Sequence, residues 1–427
     1  MFSIRGMFFI VVFAYCAVKS IREPKYGYFL MLVLLVAKPL LFDIAPEVFT
    51  DFHAPLVLGV VLIFCCFLSG ALTTLNRRAL MSFGYLTLFT MACWLSRIDD
   101  PAGITAHKYV GEITNMWLLF LVGIAAVRTS RDLRELHLVL LATATVLAAV
   151  SYWHYRLQGW AMPLPSRYNL DRNEFALTLA AFVPLFLLAV VRAQRTALKY
   201  LAAIPIVLII LCVIPSYSRG AFLALMFAFL LSVKLMPNRK LYCFIMILAL
   251  CAGALRVSDS YWARISSSTD YEEEASAAGR IATYKAALTM FQSAPVVGIG
   301  VGNFNENFWD HCPEEYRIFC APNKSVHNIY LQVLSETGLV GIIALLLFLL
   351  SVLKPFGRMI LPGNGPQSPH DKLSYAFGST CLVLLLGYLL LPGAYGSLIY
   401  PFCASFVSAQ LAKPDEEDPH ADGPASA

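Results

Sequence analysis

The hexapeptide Pro215-Ser216-Tyr217-Ser218-Arg219-Gly220 stands directly ahead of an apolar run that continues to Met236. A serine cap followed by an arginine at a helix start gathers unpaired backbone N–H groups, the positive dipole end and a guanidinium fork, a combination suited to phosphate. The plain alternative for Arg219 is an interfacial arginine that snorkels to lipid headgroups. Arg280, immediately after Gly279, supports the same chemistry with less force because loop arginines are ordinarily solvated. Arg172, in Asp171-Arg172-Asn173-Glu174-Phe175, is weaker again, since Asp171 is placed to neutralise it. His327 and Asn328 stand where a long polar stretch gives way to an apolar one. A group that titrates near neutrality at such a mouth suits proton transfer. A structural role is the alternative, because His53, His107, His154 and His311 fall on the same side.

The elements that must position these residues are transmembrane helices. Of 427 residues, 59% are hydrophobic and 14% charged, and the mean hydropathy is +0.67, which excludes a soluble domain. A β-barrel would alternate apolar and polar residues, and runs such as Leu201–Val213 and Ile342–Leu350 do not. Spanning segments are expected at 4–18, 27–42, 54–72, 79–96, 109–127, 136–153, 174–191, 198–214, 220–236, 240–256, 328–353, 373–391 and 395–412. The chain is thus an all-α polytopic membrane protein of about 12 helices, or 13 if Pro392-Gly393-Ala394-Tyr395-Gly396 separates two elements instead of breaking one. The first segment has no small-residue cleavage site after it and is expected to be retained. Basic residues cluster in every second connection, at Lys19 to Lys25, Arg77-Arg78, Arg128 to Arg134, Arg192 to Lys199, Lys234 to Lys240, and Lys354 to Arg358. That side is read as cytoplasmic, which turns the long Ser258–Val326 connection outward.

These segments divide the chain into N-terminal helices (1–153), central helices bearing the arginine mouths (154–257), the long outer loop (258–326), C-terminal helices (327–412) and a polar tail (413–427) expected to be disordered. Within the loop, Arg280, Tyr284, Leu288 and Phe291 recur at helical spacing, so 281–292 reads as a short helix over the membrane mouth. Ser266–Glu274 reads as a mobile acidic strap. Gly298-Ile299-Gly300-Val301-Gly302 follows no strand and reads as a flexible turn instead of a nucleotide loop. Asp99-Asp100 lacks a third carboxylate nearby in sequence, so no metal site and no cofactor are expected. Of 11 cysteines, nine lie inside apolar segments. Cys312 and Cys320 lie in the outward loop, where an oxidising compartment favours a disulfide. The net charge of +5 is topological and implies no nucleic acid.

Between Asp171 and Gly341 four short stretches, in order and on one membrane face, resemble the O-antigen ligase family, which also contains O-antigen polymerases and protein O-oligosaccharyltransferases. They are Arg172-Asn173-Glu174-Phe175-Ala176-Leu177, Ser218-Arg219-Gly220-Ala221, Gly279-Arg280 through Pro295-Val296-Val297-Gly298 to Asn303-Phe304, and His327-Asn328-Ile329-Tyr330-Leu331-Gln332 with Glu336-Thr337-Gly338-Leu339-Val340-Gly341. The resemblance covers under half the chain. It implies a metal-independent membrane glycosyltransferase of the GT-C-like type in the bacterial inner membrane. Such an enzyme moves a glycan from undecaprenyl diphosphate to an acceptor at the periplasmic face, the ligase acceptor being lipid A-core. Arg219, Arg280 and Arg172 would then hold the diphosphate, His327 would act on the acceptor hydroxyl, and Ser218 and Asn328 would support them. A polymerase or a protein oligosaccharyltransferase would use the same donor. A flippase or transporter would instead carry polar residues near the midplane, in repeated halves, and is the remoter alternative.

Overall fold

The computed structural model describes residues 4–38, 40–41, 54–97, 104–158, 172–216, 218–240, 242–243, 271–320, 324–361, 363–391 and 393–412. Among these there is no β-strand. The α-helices are α1 (Ile4–Ser20), α2 (Lys25–Val36), α3 (Ala54–Leu68), α4 (Arg77–Leu95), α5 (Ile104–Ala126), α6 (Ser130–Gln158), α7 (Arg172–Ala181), α8 (Val183–Arg192), α9 (Thr196–Val213), α10 (Arg219–Ser232), α11 (Tyr271–Ser293), α12 (Phe304–His311), α13 (Ile329–Ile360), α14 (Pro369–Gly387) and α15 (Ile399–Leu411). Among the described residues five stretches are long and apolar enough to cross a membrane, and further apolar helices are shorter, as in a polytopic membrane protein. The expected 240–256 segment and the 413–427 tail lie largely or wholly outside the described residues, as do Asp99, Asp100 and residues 266–270.

The expected 174–191 helix is two pieces, because Pro184 in the first turn of α8 has no N–H to continue the ladder from α7. The buried share of each span sorts centre from periphery: 78% for Asn173–Arg192, 28% for Thr196–Ser216. α15 is buried on all faces from Ile399 to Ala409 and forms the axis of the bundle, packed on α5 and α14. Tyr28 anchors it by donating to Pro401 O at 3.0 Å. α14 and α15 run antiparallel, since Ser374 Oγ at the start of one donates to Ala409 O at the end of the other at 2.7 Å. The glycine-rich segment after α14 is therefore the tip of a hairpin between two elements.

Above this bundle, α11, α12 and the 3₁₀ turn Glu314–Phe319 enclose a small separate core of Ala282, Ala286, Ala287, Met290, Phe304, Phe308, Cys312 and Val326. α11 starts ten residues before the expected 281–292 helix and takes Tyr271–Glu274 into its first turn, so that part of the acidic segment is helical. Its packed face is made mainly of alanines and Met290, with Tyr284 alongside, whereas Arg280 and Leu288 of the expected stripe are exposed, Leu288 by 45%. Small side chains let the neighbouring helices approach closely, which the larger stripe residues would prevent.

Candidate functional site

Three helix starts meet at the end of the bundle that carries the α11–α12 cap. α10 begins with Ser218, whose Oγ accepts from Ala221 N at 3.2 Å, and Ser218 N in turn donates to Ser216 Oγ at 3.3 Å. The cap is buried, and Arg219, the first helical residue, is exposed. α13 begins with Asn328, whose Oδ1 accepts from Tyr330 N at 2.9 Å and Leu331 N at 3.0 Å. His327 is half-buried just ahead of that cap, and its carbonyl accepts from Tyr284 on α11 at 3.4 Å. Arg280, exposed, lies one turn before Tyr284 on the same helix face, about 6 Å along the axis. α7 begins with Arg172, whose side chain lies outside the described residues.

The tip of the α14–α15 hairpin joins these starts. Tyr388 O accepts from Ile329 N at 3.2 Å, and Tyr388 OH donates to Glu174 Oε1 on α7 at 3.2 Å. Leu390 packs over Gly220, with Cδ1 3.4 Å from where a Cβ would stand. Arg219, His327, Glu174 and the Arg280 helix are thereby gathered around one turn. Glu174 and Tyr388 carry no role in the sequence reading, Tyr388 because its hydroxyl reaches a partner 214 residues away.

Beneath the mouth lies a buried polar cluster. Glu336, 1% exposed, receives Tyr395 OH at 2.7 Å on one oxygen and Phe304 N at 3.1 Å on the other, with the Gly302 amide and Gln332 Nε2 (3.4 Å) beside them. Gln332 Oε1 accepts from Gly393 N at 3.3 Å and Ala394 N at 3.4 Å. A carboxylate within an apolar span is expensive and marks function by default, a signal already present in Glu336-Thr337-Gly338. Arg97, also buried, donates Nη1 to Asn303 Oδ1 at 2.6 Å and binds α4 to the same loop.

The 298–302 segment is not a flexible turn. Gly338 breaks α13 at φ 62°, ψ −158°, which separates the carbonyls of Ser335 and Glu336 from the amides of Leu339 and Val340 that they would otherwise meet. The glycine loop fills the gap: Ile299 N donates to Ser335 O and Gly300 N to Glu336 O, both at 3.0 Å. In return Leu339 N donates to Pro295 O at 2.9 Å and Val340 N to Val296 O at 3.2 Å. Gly298, Gly300 and Gly302 all have positive φ, and a Cβ at Gly298 would overlap the Glu336–Thr337 backbone. These reciprocal backbone pairs, with Val301 N donating to Ser96 Oγ at 3.2 Å, fix the loop against the helix break.

Cys312 and Cys320, expected as a disulfide, stand as two neighbouring free thiols, Cys312 buried. Folding supplies their proximity, and closing the bridge requires an oxidant besides. Burial, reinforced by Cys320, pushes the Cys312 thiol up to about 11.

Residues 204–346 match the family model described as O-antigen ligase. No curated protein matches the chain. The matched stretch holds Ser218, Arg219, Arg280, His327, Asn328, Gln332 and Glu336, while Arg172 and Glu174 precede it. It supports membrane glycosyltransferase activity of the O-antigen ligase or polymerase kind. Over residues 204–346, the chain is similar to the O-antigen ligase family.

Proposed function

We propose that this protein is an O-antigen ligase that transfers a glycan from undecaprenyl diphosphate to a sugar hydroxyl of lipid A-core, at the periplasmic face of a bacterial inner membrane crossed about 12 times. The observation that carries this reading is the gathering of the Ser218–Arg219 helix start, the His327–Asn328 helix start and the Arg280 helix around the 388–393 turn. Arg219 and Arg280 hold the diphosphate, with Arg172 as a third cation, and stabilise the charge that grows on it. His327 takes the acceptor proton as the hydroxyl oxygen bonds to the anomeric carbon. The bond to the diphosphate breaks, and its electron pair leaves with the phosphate oxygen. The diphosphate is already a good leaving group, so neither acid nor metal is required on that side. The basic connections at the opposite end of the bundle set the orientation.

The test is transfer in a reconstituted bilayer, with purified protein, undecaprenyl-diphosphate glycan and lipid A-core, without nucleotide and with EDTA. Joined product is expected, and His327→Ala should lose about 10²-fold or more in turnover while still binding donor. Product formed only with a second lipid-linked repeat as acceptor would make the chain a polymerase. Loss of activity in EDTA would overturn the metal-independent mechanism. Failure of transfer to every acceptor would overturn the enzyme reading itself.

A further inference from the structure

The structure points beyond those groups to a pair that sets their spacing: we propose that Gln332 and Glu336 are positioning residues for the transfer reaction, an inference that rests on the function proposed above. The two residues are one turn apart on α13 and share a face. That helix starts beside His327, so anything held by this face is held relative to the histidine. Glu336 grips the loop leading out of the Arg280 helix, through the amides of Gly302 and Phe304, and reaches Tyr395 in the hairpin tip. Gln332 grips the tip itself through the amides of Gly393 and Ala394. The tip continues through Leu390 onto Gly220, next to Arg219. Two side chains of one helix therefore tie the supports of both arginines to the support of the histidine.

A purely structural role is the competing explanation, and it is a costly one. Apolar packing between the helix, the loop and the tip would hold them together without desolvating a carboxylate. What leucines cannot do is accept four backbone amides from two separate segments. Loss of that grip frees the loop and the tip to move apart, which misplaces the arginines relative to His327 without removing any of the three. Near-attack geometry tolerates little such movement.

The experiment uses the full-length protein in lipid bilayers, with single-turnover transfer, donor KM and thermal stability measured for wild type, Glu336→Gln, Glu336→Leu, Gln332→Leu and His327→Ala. Glutamine keeps an acceptor oxygen for the amides and offers its NH2 to the Tyr395 oxygen, so Glu336→Gln should stay within about threefold of wild type. Glu336→Leu and Gln332→Leu should each lower turnover by about tenfold or more and raise donor KM when assayed well below their own melting temperatures, which the orphaned amides lower by a few degrees. Glu336→Leu placed on His327→Ala should cost less than it does alone, because it acts through that histidine's placement. Wild-type kinetics for both leucine variants, or fully independent effects in the double variant, would overturn the proposal. If Glu336→Leu does not fold, Gln332→Leu alone decides by the same criteria. Wild-type protein that transfers nothing would overturn the proposed function, whereas active wild type with indifferent leucine variants overturns this inference alone.

Discussion

Gly298→Ala isolates the junction between the glycine loop and α13. Gly298 has φ 73°, and a Cβ there would overlap the backbone of Glu336 and Thr337, which has no flexible end to yield. The loop must lift. An alanine in the left-handed region costs about 1 kcal/mol, and loss of the Ile299–Ser335 and Gly300–Glu336 bonds adds about 1 kcal/mol each, near 3 kcal/mol in all. At 1.4 kcal/mol per tenfold, local opening becomes about a hundredfold more frequent. Hydrogen exchange followed by mass spectrometry on peptides covering 295–304 and 333–341 reads this directly, with an α9 peptide as internal reference. Gly363→Ala is the control, since Gly363 has φ 85° but open space around it, and only the conformational cost of about 1 kcal/mol applies. Exchange in Gly298→Ala no faster than in that control would refute the claim that the loop is locked to the helix break.

Two further outcomes follow from the site. Arg219→Lys should be nearly as damaging to transfer as Arg219→Ala, because an ammonium keeps the charge but loses the two-pronged fork; wild-type activity for the lysine variant would favour lipid snorkelling instead. In reduced protein, alkylation of Cys312 should keep accelerating from pH 9 towards pH 11, since burial holds the thiol protonated until about 11; a rate that levels off by pH 9 would refute that environment.

The features legible in the sequence are those whose causes lie within a few residues. Apolar runs of spanning length set the helices, and Ser218 and Asn328 announce caps because a cap bonds to amides two or three positions on. Pro184 splits α7 from α8 for an equally local reason, although the apolar run across it hid the break. Glycines at 298, 300 and 302 signalled a special backbone, and without the partner segment the natural reading was flexibility. Their partner is the gap at Gly338, and no local pattern states that Leu339 N would turn to Pro295 O. Glu336 meets Phe304 across 32 positions, Arg97 meets Val301 across 204, and Tyr388 meets Glu174 across 214. Which chemistry-bearing residues exist, and at which helix ends, was therefore settled by composition and short-range hydrogen bonding. Their assembly around the 388–393 turn was decided by packing of the whole bundle, because a buried donor or acceptor takes whichever partner the fold brings within 3 Å or so, however distant in the chain.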